Sequence, residues 1–476
     1  MPFDRNPDGT IYQRPFGGHT ANYGEKPVQR ACAAADRTGH ALLHTLYQRN
    51  VASRTQFFVE WMALDLIRDA DGDVVGVTAL EMETGEVYIF EAKTTVLATG
   101  GAGRIWAAST NAFINTGDGM GMAARAGIPM QDMEFWQFHP TGVAGAGVLI
   151  TEGVRGEGGI LLNKDGERFM ERYAPTIKDL APRDMVARAM ANEVREGRGA
   201  GPHKDYVLLD LTHLPPEVID AKLPDITEFA RTYLGVEPYT EPVPVFPTAH
   251  YAMGGIPTNI KAEVLSDNDT VVPGLYAAGE CACVSVHGAN RLGTNSLLDI
   301  NVFGKRAGIY AVEYSKTADF VPVPKDAIDG VVKLLQDVRN SKGTEKVAVL
   351  RKELQDTMDK NAQVYRTEES LKESLAKIAE LRERYQHISI QDQGQRFNTD
   401  LLEAVEMGFL LDLAEVLAYT ALERRESRGG HFREDYPERD DKKFMVHSMA
   451  YKNGDKIKLG WKPVTITNYQ PMERKY

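Results

Sequence analysis

Apolar residues recur at two different spacings along the chain, and the switches between them divide it into blocks. Between Asp36 and Tyr47, Leu42, Leu43 and Leu46 fall on one side of a 3.6-residue repeat, which predicts a helix with an apolar stripe. From Leu64 to Glu91, short apolar runs are broken at Asp71-Gly72 and Thr84-Gly85, pairs suited to tight turns, so this block predicts a small antiparallel sheet. Thr95-Val96-Leu97-Ala98 then reads as a buried strand running into the glycine turn Thr99-Gly100-Gly101. From Met133 to His250 the pattern is mixed and carries Pro215, Pro216, Pro242, Pro244 and Pro247, as expected of an inserted second domain. Val272 to Leu298 returns to strand, turn and helix with many glycines. From Ala327 to about Arg425, Leu, Glu, Lys and Arg recur at helical spacing, as in Ser370 to Tyr385, which predicts a helical bundle. Beyond His431 the chain is charged and aromatic without a clear period.

Composition narrows the class. A chain of 476 residues exceeds one ordinary core, so two or three domains are expected. With 43% hydrophobic and 26% charged residues it reads as globular, and a net charge of -12 argues against nucleic acid or an anionic membrane surface as a partner. A local basic pocket for an anionic substrate remains compatible with that balance. No stretch approaches the length of a membrane span, so membrane association is expected only through a partner. Three cysteines, Cys32, Cys281 and Cys283, do not form a disulfide framework and point to a reducing compartment. Cys281 and Cys283 read as small core residues. His40 and His44 lie four apart on one helix face but lack a third ligand, so no metal site is expected. The opening Met1-Pro2-Phe3-Asp4 has neither the charged nor the apolar region of a signal peptide.

Three glycine turns carry the candidate cofactor chemistry. Thr99-Gly100-Gly101-Ala102-Gly103 follows a strand, where glycine lets backbone approach a ligand closely. Asn115-Thr116-Gly117-Asp118-Gly119 precedes a helix, and is equally a plain helix cap with Asp118 near its start. Gly274 to Glu280 is a second strand ending in glycine. It is followed by Gly288-Ala289-Asn290-Arg291-Leu292-Gly293-Thr294-Asn295-Ser296-Leu297-Leu298, which offers backbone amides at a helix N-terminus. The usual strand, GxGxxG and helix element is absent.

Several longer runs make the resemblance specific. Gln137-Phe138-His139-Pro140-Thr141-Gly142, Thr151-Glu152-Gly153-Val154-Arg155-Gly156-Glu157-Gly158-Gly159, Glu167-Arg168-Phe169-Met170, Asp179-Leu180-Ala181-Pro182-Arg183-Asp184, His250-Tyr251-Ala252-Met253-Gly254-Gly255 and His287-Gly288-Ala289-Asn290-Arg291 resemble, in order and over essentially the whole chain, the succinate dehydrogenase and fumarate reductase flavoprotein family. The resemblance implies an α/β fold with an α+β insert. An incomplete Rossmann-like FAD-binding domain would occupy 1–132 and 251–316, a capping and substrate domain 133–250, a helical domain 317–440 and a tail domain 441–476. It implies oxidation of succinate to fumarate, with electrons passing through FAD to an iron–sulfur subunit, itself on membrane anchor subunits, and then to quinone. The setting would be the cytoplasmic face of a bacterial inner membrane, or the matrix face in mitochondria.

A dianionic four-carbon acid needs cationic or donor partners for both carboxylates. Arg291 offers a planar bidentate fork, and the resemblance adds His139, Thr151 and His250. Each has a plainer reading, such as a turn cap for His139 or a bond from Thr151 to its own backbone. The resemblance makes Arg183 the proton-transfer residue, with Glu152 and Arg155 as its path to solvent; the plainer reading is a helix start or an Arg183–Asp184 surface pair. For FAD the resemblance carries over Asp118, Glu280, Ser296 and Leu297.

Rival readings within the fold are fumarate reductase and L-aspartate oxidase. An amino-acid substrate needs an anion near its ammonium, and Phe16 before Gly17-Gly18 is apolar instead, which suits succinate. Leu297-Leu298-Asp299 and the tail Glu426-Ser427-Arg428-Gly429-Gly430-His431-Phe432-Arg433 also resemble the dehydrogenase form. Members of the family open with a strand, a GxGxxG turn and a histidine that carries FAD covalently. The expectation is that on the order of a hundred residues containing these precede Met1, that the attachment histidine is absent from this chain, and that the chain alone purifies colourless. A reading of another class is a catalytically inactive fragment unable to hold FAD.

Overall fold

The computed structural model describes residues 1–22, 25–145, 147–454 and 456–472. The block from Leu64 to Glu91 forms three antiparallel strands, Trp61–Arg68, Val74–Glu81 and Val87–Glu91, turning at the glycine pairs that the sequence marks. Strand Val271–Ala277 pairs in parallel with Thr95–Leu97, with Leu275 opposite Thr95 and Ala277 opposite Leu97. On its other side it pairs antiparallel with Glu263–Leu265. Helices Asp118–Arg125 and Asn295–Thr317 complete this part.

Residues from Trp136 to Ala252 build an antiparallel four-stranded sheet in the order Trp136–Val143, Val243–Ala252, Val207–Asp210, Ile160–Leu162. Helix Arg183–Arg195 packs on it through Val186 and Met190, over a core that includes Ile150, Phe169, Leu209 and Val245. Prolines 215, 216, 242, 244 and 247 fall at helix starts, beside or within a strand that tolerates them.

The expected helical bundle comprises Asp329–Asn340, Val347–Asn361, Glu368–Tyr385 and Thr399–Glu423. The third starts at a reciprocal cap in which Thr367 accepts from the Ser370 amide and the Ser370 hydroxyl accepts from the Thr367 amide. The fourth is apolar on all sides, and accordingly Leu410, Leu411, Leu413, Val416 and Leu417 are all buried. The tail ends in a hairpin, Val446–Asn453 with Lys456–Pro463, whose first strand joins Met130–Gln131. At that junction a buried network ties the tail to the start of the capping sheet. Arg424 Nε donates to Glu134 Oε1 at 2.5 Å and its NH1 to Glu426 at 3.1 Å. His447 Nδ1 lies 2.6 Å from Asp132, and the Ser448 hydroxyl donates to Glu134 at 2.7 Å.

Two elements differ from the sequence expectation in their surroundings. The first helix spans Thr38–Ala52, but its stripe faces outward, with Leu43 66% and Leu46 45% exposed. Periodicity identifies a helix without saying which side meets a core. Thr95–Leu97 is the edge strand of its sheet among the described residues, so Leu97 is buried while Val96 is exposed. Helix Asn295–Thr317 likewise buries only Asp299, Ala307 and Ala311. No helix among the described residues is long and apolar enough to cross a membrane.

Candidate active site

Two neighbouring strands of the capping sheet, the edge strand Trp136–Val143 and Val243–Ala252 beside it, bring His139 and His250 together. Thr248 stands opposite His139, and the two imidazoles meet edge to face with centroids 4.9 Å apart. The Thr141 amide donates to His139 Nδ1 at 3.2 Å, which leaves the ring proton on Nε2. That Nε2 is buried and has no hydrogen-bond partner among the described residues. Burial first, and then the surrounding cations led by Arg183, hold both imidazoles well below the usual histidine range, so both are neutral near pH 7.

Beside them lies a cluster of guanidinium groups. Pro182 fixes the entry to helix Arg183–Arg195 and places Arg183 at its first turn, facing inward. Arg183 Nε donates to Glu152 Oε2 at 2.8 Å, and Arg155 donates to Glu152 Oε1 at 2.9 Å. Burial pushes the Glu152 carboxyl up, but Arg183 and Arg155 outweigh it and keep it ionised. A second Arg155 nitrogen donates to the Asp179 carbonyl. Asp184 pairs with Arg188 at 2.9 Å, and both Arg183 and Asp184 are buried rather than on the surface. Strand Gln13–Ala21 closes over this cluster: a side chain on Gly17 would begin 1.8 Å from Glu152 Oε1. The Phe16 ring packs beside Gly293 and 5.9 Å from the His19 ring.

Arg291 completes the cluster from the other side. Its NH2 donates to Gln137 Oε1 at 3.1 Å, and Arg183 NH1 donates to the same oxygen at 2.9 Å. Gln137 Nε2 in turn donates to the Arg291 carbonyl at 2.6 Å and to Asn290 at 2.8 Å. The Arg291 guanidinium sits 4.3 Å from the centre of the Tyr251 ring. It is buried and forms no ion pair among the described residues; burial, then repulsion from Arg183, lowers it to about 9. The Thr151 hydroxyl oxygen accepts locally from the Gly153 amide at 3.2 Å, which is the plainer of its two readings. A cavity of about 1150 Å³ reaches Gly17, Gly18, Arg183 and Arg291 and extends toward Arg428 and Lys462; His139, His250 and Thr151 are not in its wall.

Gln137, Tyr251 and Asn290 have no role in the sequence reading. For Gln137 a signal exists, because residues 137 and 139 share a face of one strand and His139 is a candidate. Tyr251 and Asn290 flank candidates along the chain, but only the fold turns them toward Arg291.

The glycine turns, scattered in sequence, pack against one another. A side chain on Gly101 would begin 2.5 Å from Glu280 Oε1, and one on Gly119 would begin 2.2 Å from the Thr99 hydroxyl. Glu280 Oε1 accepts from the Ala252 amide at 3.0 Å, and burial raises this carboxyl to about 7. Asp118 accepts from the Thr116 hydroxyl at 2.6 Å within the first turn of its helix, and burial raises it as well. Ser296 and Leu297 lie in the first turn of helix Asn295–Thr317, which no side chain caps; the Asn295 amide donates to the Leu292 carbonyl at 3.1 Å, and the amides of Ser296 and Leu297 have no backbone partner among the described residues. Close backbone approach at Gly101, two carboxyl groups and an uncapped helix start fit a flavin nucleotide. His40 and His44 stack at 4.2 Å on an exposed face, and no group of His, Cys, Asp and Glu among the described residues is arranged to hold a metal ion. Cys281 and Cys283 are buried thiols.

Comparison with known proteins bears on this geometry. The model for an FAD binding domain matches residues 1–297, and that for the fumarate reductase flavoprotein C-terminus matches residues 351–476. A succinate dehydrogenase flavoprotein subunit of Rickettsia bellii is 52% identical over 98% of this chain and 79% of its own length. A fumarate reductase flavoprotein subunit of Proteus vulgaris is 43% identical, covering 100% of this chain and 80% of its own length. Among solved structures, a mutant E. coli quinol fumarate reductase superposes with a TM-score of 0.91 at 41% identity, over 99% of this chain and 82% of that one.

Proposed function

The chain belongs to the succinate dehydrogenase and fumarate reductase flavoprotein family, and from that premise we propose that its site oxidises succinate to fumarate with FAD as the electron acceptor. One observation carries the substrate class. Three buried guanidinium groups, Arg155, Arg183 and Arg291, surround a single carboxylate, Glu152, and Arg291 is left without an anionic partner among the described residues. Such an excess of buried cation is stabilised by an incoming dianion.

In this reading Arg291 clamps one substrate carboxylate through its fork. His139, from Nε2, and His250 donate to the dicarboxylate, joined by the Thr151 hydroxyl. Arg183 passes its Nε proton to Glu152, which lies 2.8 Å away and bonds onward to Arg155, and the neutral guanidine so formed takes the proton leaving one substrate carbon. When bound, FAD supplies the hydride acceptor for the adjacent carbon. Asp118, Glu280 and the amides of Ser296 and Leu297 hold it, Glu280 suiting a hydroxyl partner because its carboxyl is raised to about 7. No histidine within residues 1–476 is assigned to covalent flavin attachment. Electrons pass to an iron–sulfur subunit bound to membrane anchors, so the chain sits peripherally, on the cytoplasmic face in a bacterium.

The identity of 52% with the dehydrogenase subunit against 43% with the reductase subunit supports the oxidative direction. Phe16 supports succinate over an amino acid. The test supplies FAD and an artificial electron acceptor to the purified chain and compares succinate with L-aspartate. Reduction driven by succinate alone is expected; reduction by L-aspartate alone would move the chain to the amino-acid oxidases.

A further inference from the structure

The segment from Ala108 to Asn111 lies between the flavin-side turns, yet it hydrogen-bonds to the capping strand beside His250. Ser109 bridges Ala249 in parallel, the Ala249 amide donates to the Ala108 carbonyl at 2.9 Å, and the Thr110 amide donates to the Ala249 carbonyl at 2.9 Å. Asn111 fixes the same junction, donating to the His250 carbonyl at 3.0 Å and accepting from the Gly103 amide at 3.0 Å. The backbone of His250 is therefore held from the flavin side.

The Thr110 side chain acts on the ring. Its Oγ1 lies 2.7 Å from His250 Nδ1. The other acceptor in reach, the Ala249 carbonyl, is 3.4 Å away and already receives the Thr110 amide and the Ser109 hydroxyl at 3.3 Å. The hydroxyl proton is thus better used at Nδ1. A neutral imidazole has one ring proton, so an accepting Nδ1 places it on Nε2. His139 reaches the same form through a different donor, the Thr141 amide. We infer that Thr110 is a positioning residue that sets the Nε2–H form of His250, so that both imidazoles present donors to the dicarboxylate. The purpose rests on the succinate reading above; the ring assignment does not.

The experiment uses the FAD-loaded chain with labelled histidine, malonate as probe, and three variants. Nitrogen NMR of His250 is expected to show Nε2–H in the wild type and in Thr110→Ser, and loss of that preference in Thr110→Val, which keeps the shape without the hydroxyl. Thr110→Val is expected to bind malonate about 10-fold more weakly, the loss of one hydrogen bond at a buried donor, while Thr110→Ser stays within about threefold of wild type. A wild-type His250 carrying its proton on Nδ1, or a Thr110→Val protein that keeps Nε2–H, would overturn the assignment, as would equal weakening by Ser and Val. If the ring behaves as expected while Arg291→Lys binds malonate as tightly as wild type, the dicarboxylate reading fails and the Thr110 assignment stands.

Discussion

Glu152 is fully buried and Glu280 half-buried, and the chain treats the two carboxyl groups in opposite ways. Glu152 lies between two guanidinium groups 2.8 and 2.9 Å away, and these override its burial and keep it charged. Glu280 forms no ion pair among the described residues; a single backbone amide reaches it, and burial lifts it to about 7. The proposed substrate side is therefore organised by fixed charge and the proposed flavin side by hydrogen bonding. The difference follows from local backbone. Helix Arg183–Arg195 and the turn at Arg155 aim long cationic side chains inward, whereas the glycine turns around Glu280 project no side chain that could pair with it.

The largest effect tests the charged half. Glu152→Gln leaves Arg155 and Arg183 buried side by side, and unfolding by urea at pH 7 is expected to show a loss of about 3 kcal/mol. Because the Glu152 carboxyl is held below its unfolded value, this stabilisation is complete above the usual glutamate range and disappears as pH falls through the folded value. The gap between wild type and variant must close in acid. Next, Arg183→Lys keeps the charge but not the fork; turnover is expected to fall at least about 10²-fold with near-normal malonate binding. Lower thermal stability with near-normal turnover would make Arg183 structural. Third, Arg291→Lys is expected to weaken malonate about 30-fold, roughly 2 kcal/mol, for losing the fork in a buried charge pair. Calorimetric titration reads this directly, and an unchanged affinity would remove Arg291 from the site.

The smallest effect tests the other half, and its sign is reversed. The folded Glu280 carboxyl is raised to about 7, so the folded state holds its proton longer than the unfolded state does, and stability declines as pH rises through that value. Without added FAD, Glu280→Gln is expected to gain on the order of 1 kcal/mol at pH 8 and almost nothing at pH 5. This is well below the full linkage value because the residue is only half-buried. A loss at pH 8 would mean that Glu280 is charged and paired.

Sequence patterns fixed by neighbours along the chain were legible, and those fixed by distant contacts were not. The three strands between Trp61 and Glu91 follow from apolar runs and Asp-Gly and Thr-Gly turns, and helix Glu368–Tyr385 follows from the helical spacing of Leu, Glu, Lys and Arg. The stripe of Thr38–Ala52 was visible, but not its outward face, because facing depends on what packs there. In the site, Arg183, Glu152 and Arg155 were identified through family motifs. Their pairing spans 31 positions for Arg183 with Glu152, beyond any local spacing rule. Gln137 stood inside a quoted motif without a role, since its two arginine partners lie 46 and 154 positions away. Thr110 is 140 positions from His250 and has no signature of its own.

The buried network between Arg424, Glu134, Asp132 and His447 sets a schedule for folding during synthesis. Glu134 must wait 290 residues for Arg424, and Asp132 must wait 315 for His447. At about 5–20 residues per second, that is roughly 15 to 60 seconds in which two carboxylates at the root of the capping sheet lack these partners. Until then these carboxylates rely on water, and consolidation of the sheet's root waits for residues 424 to 447. A ribosome stalled shortly before Arg424 would thus leave the capping sheet loosely seated and open to proteases.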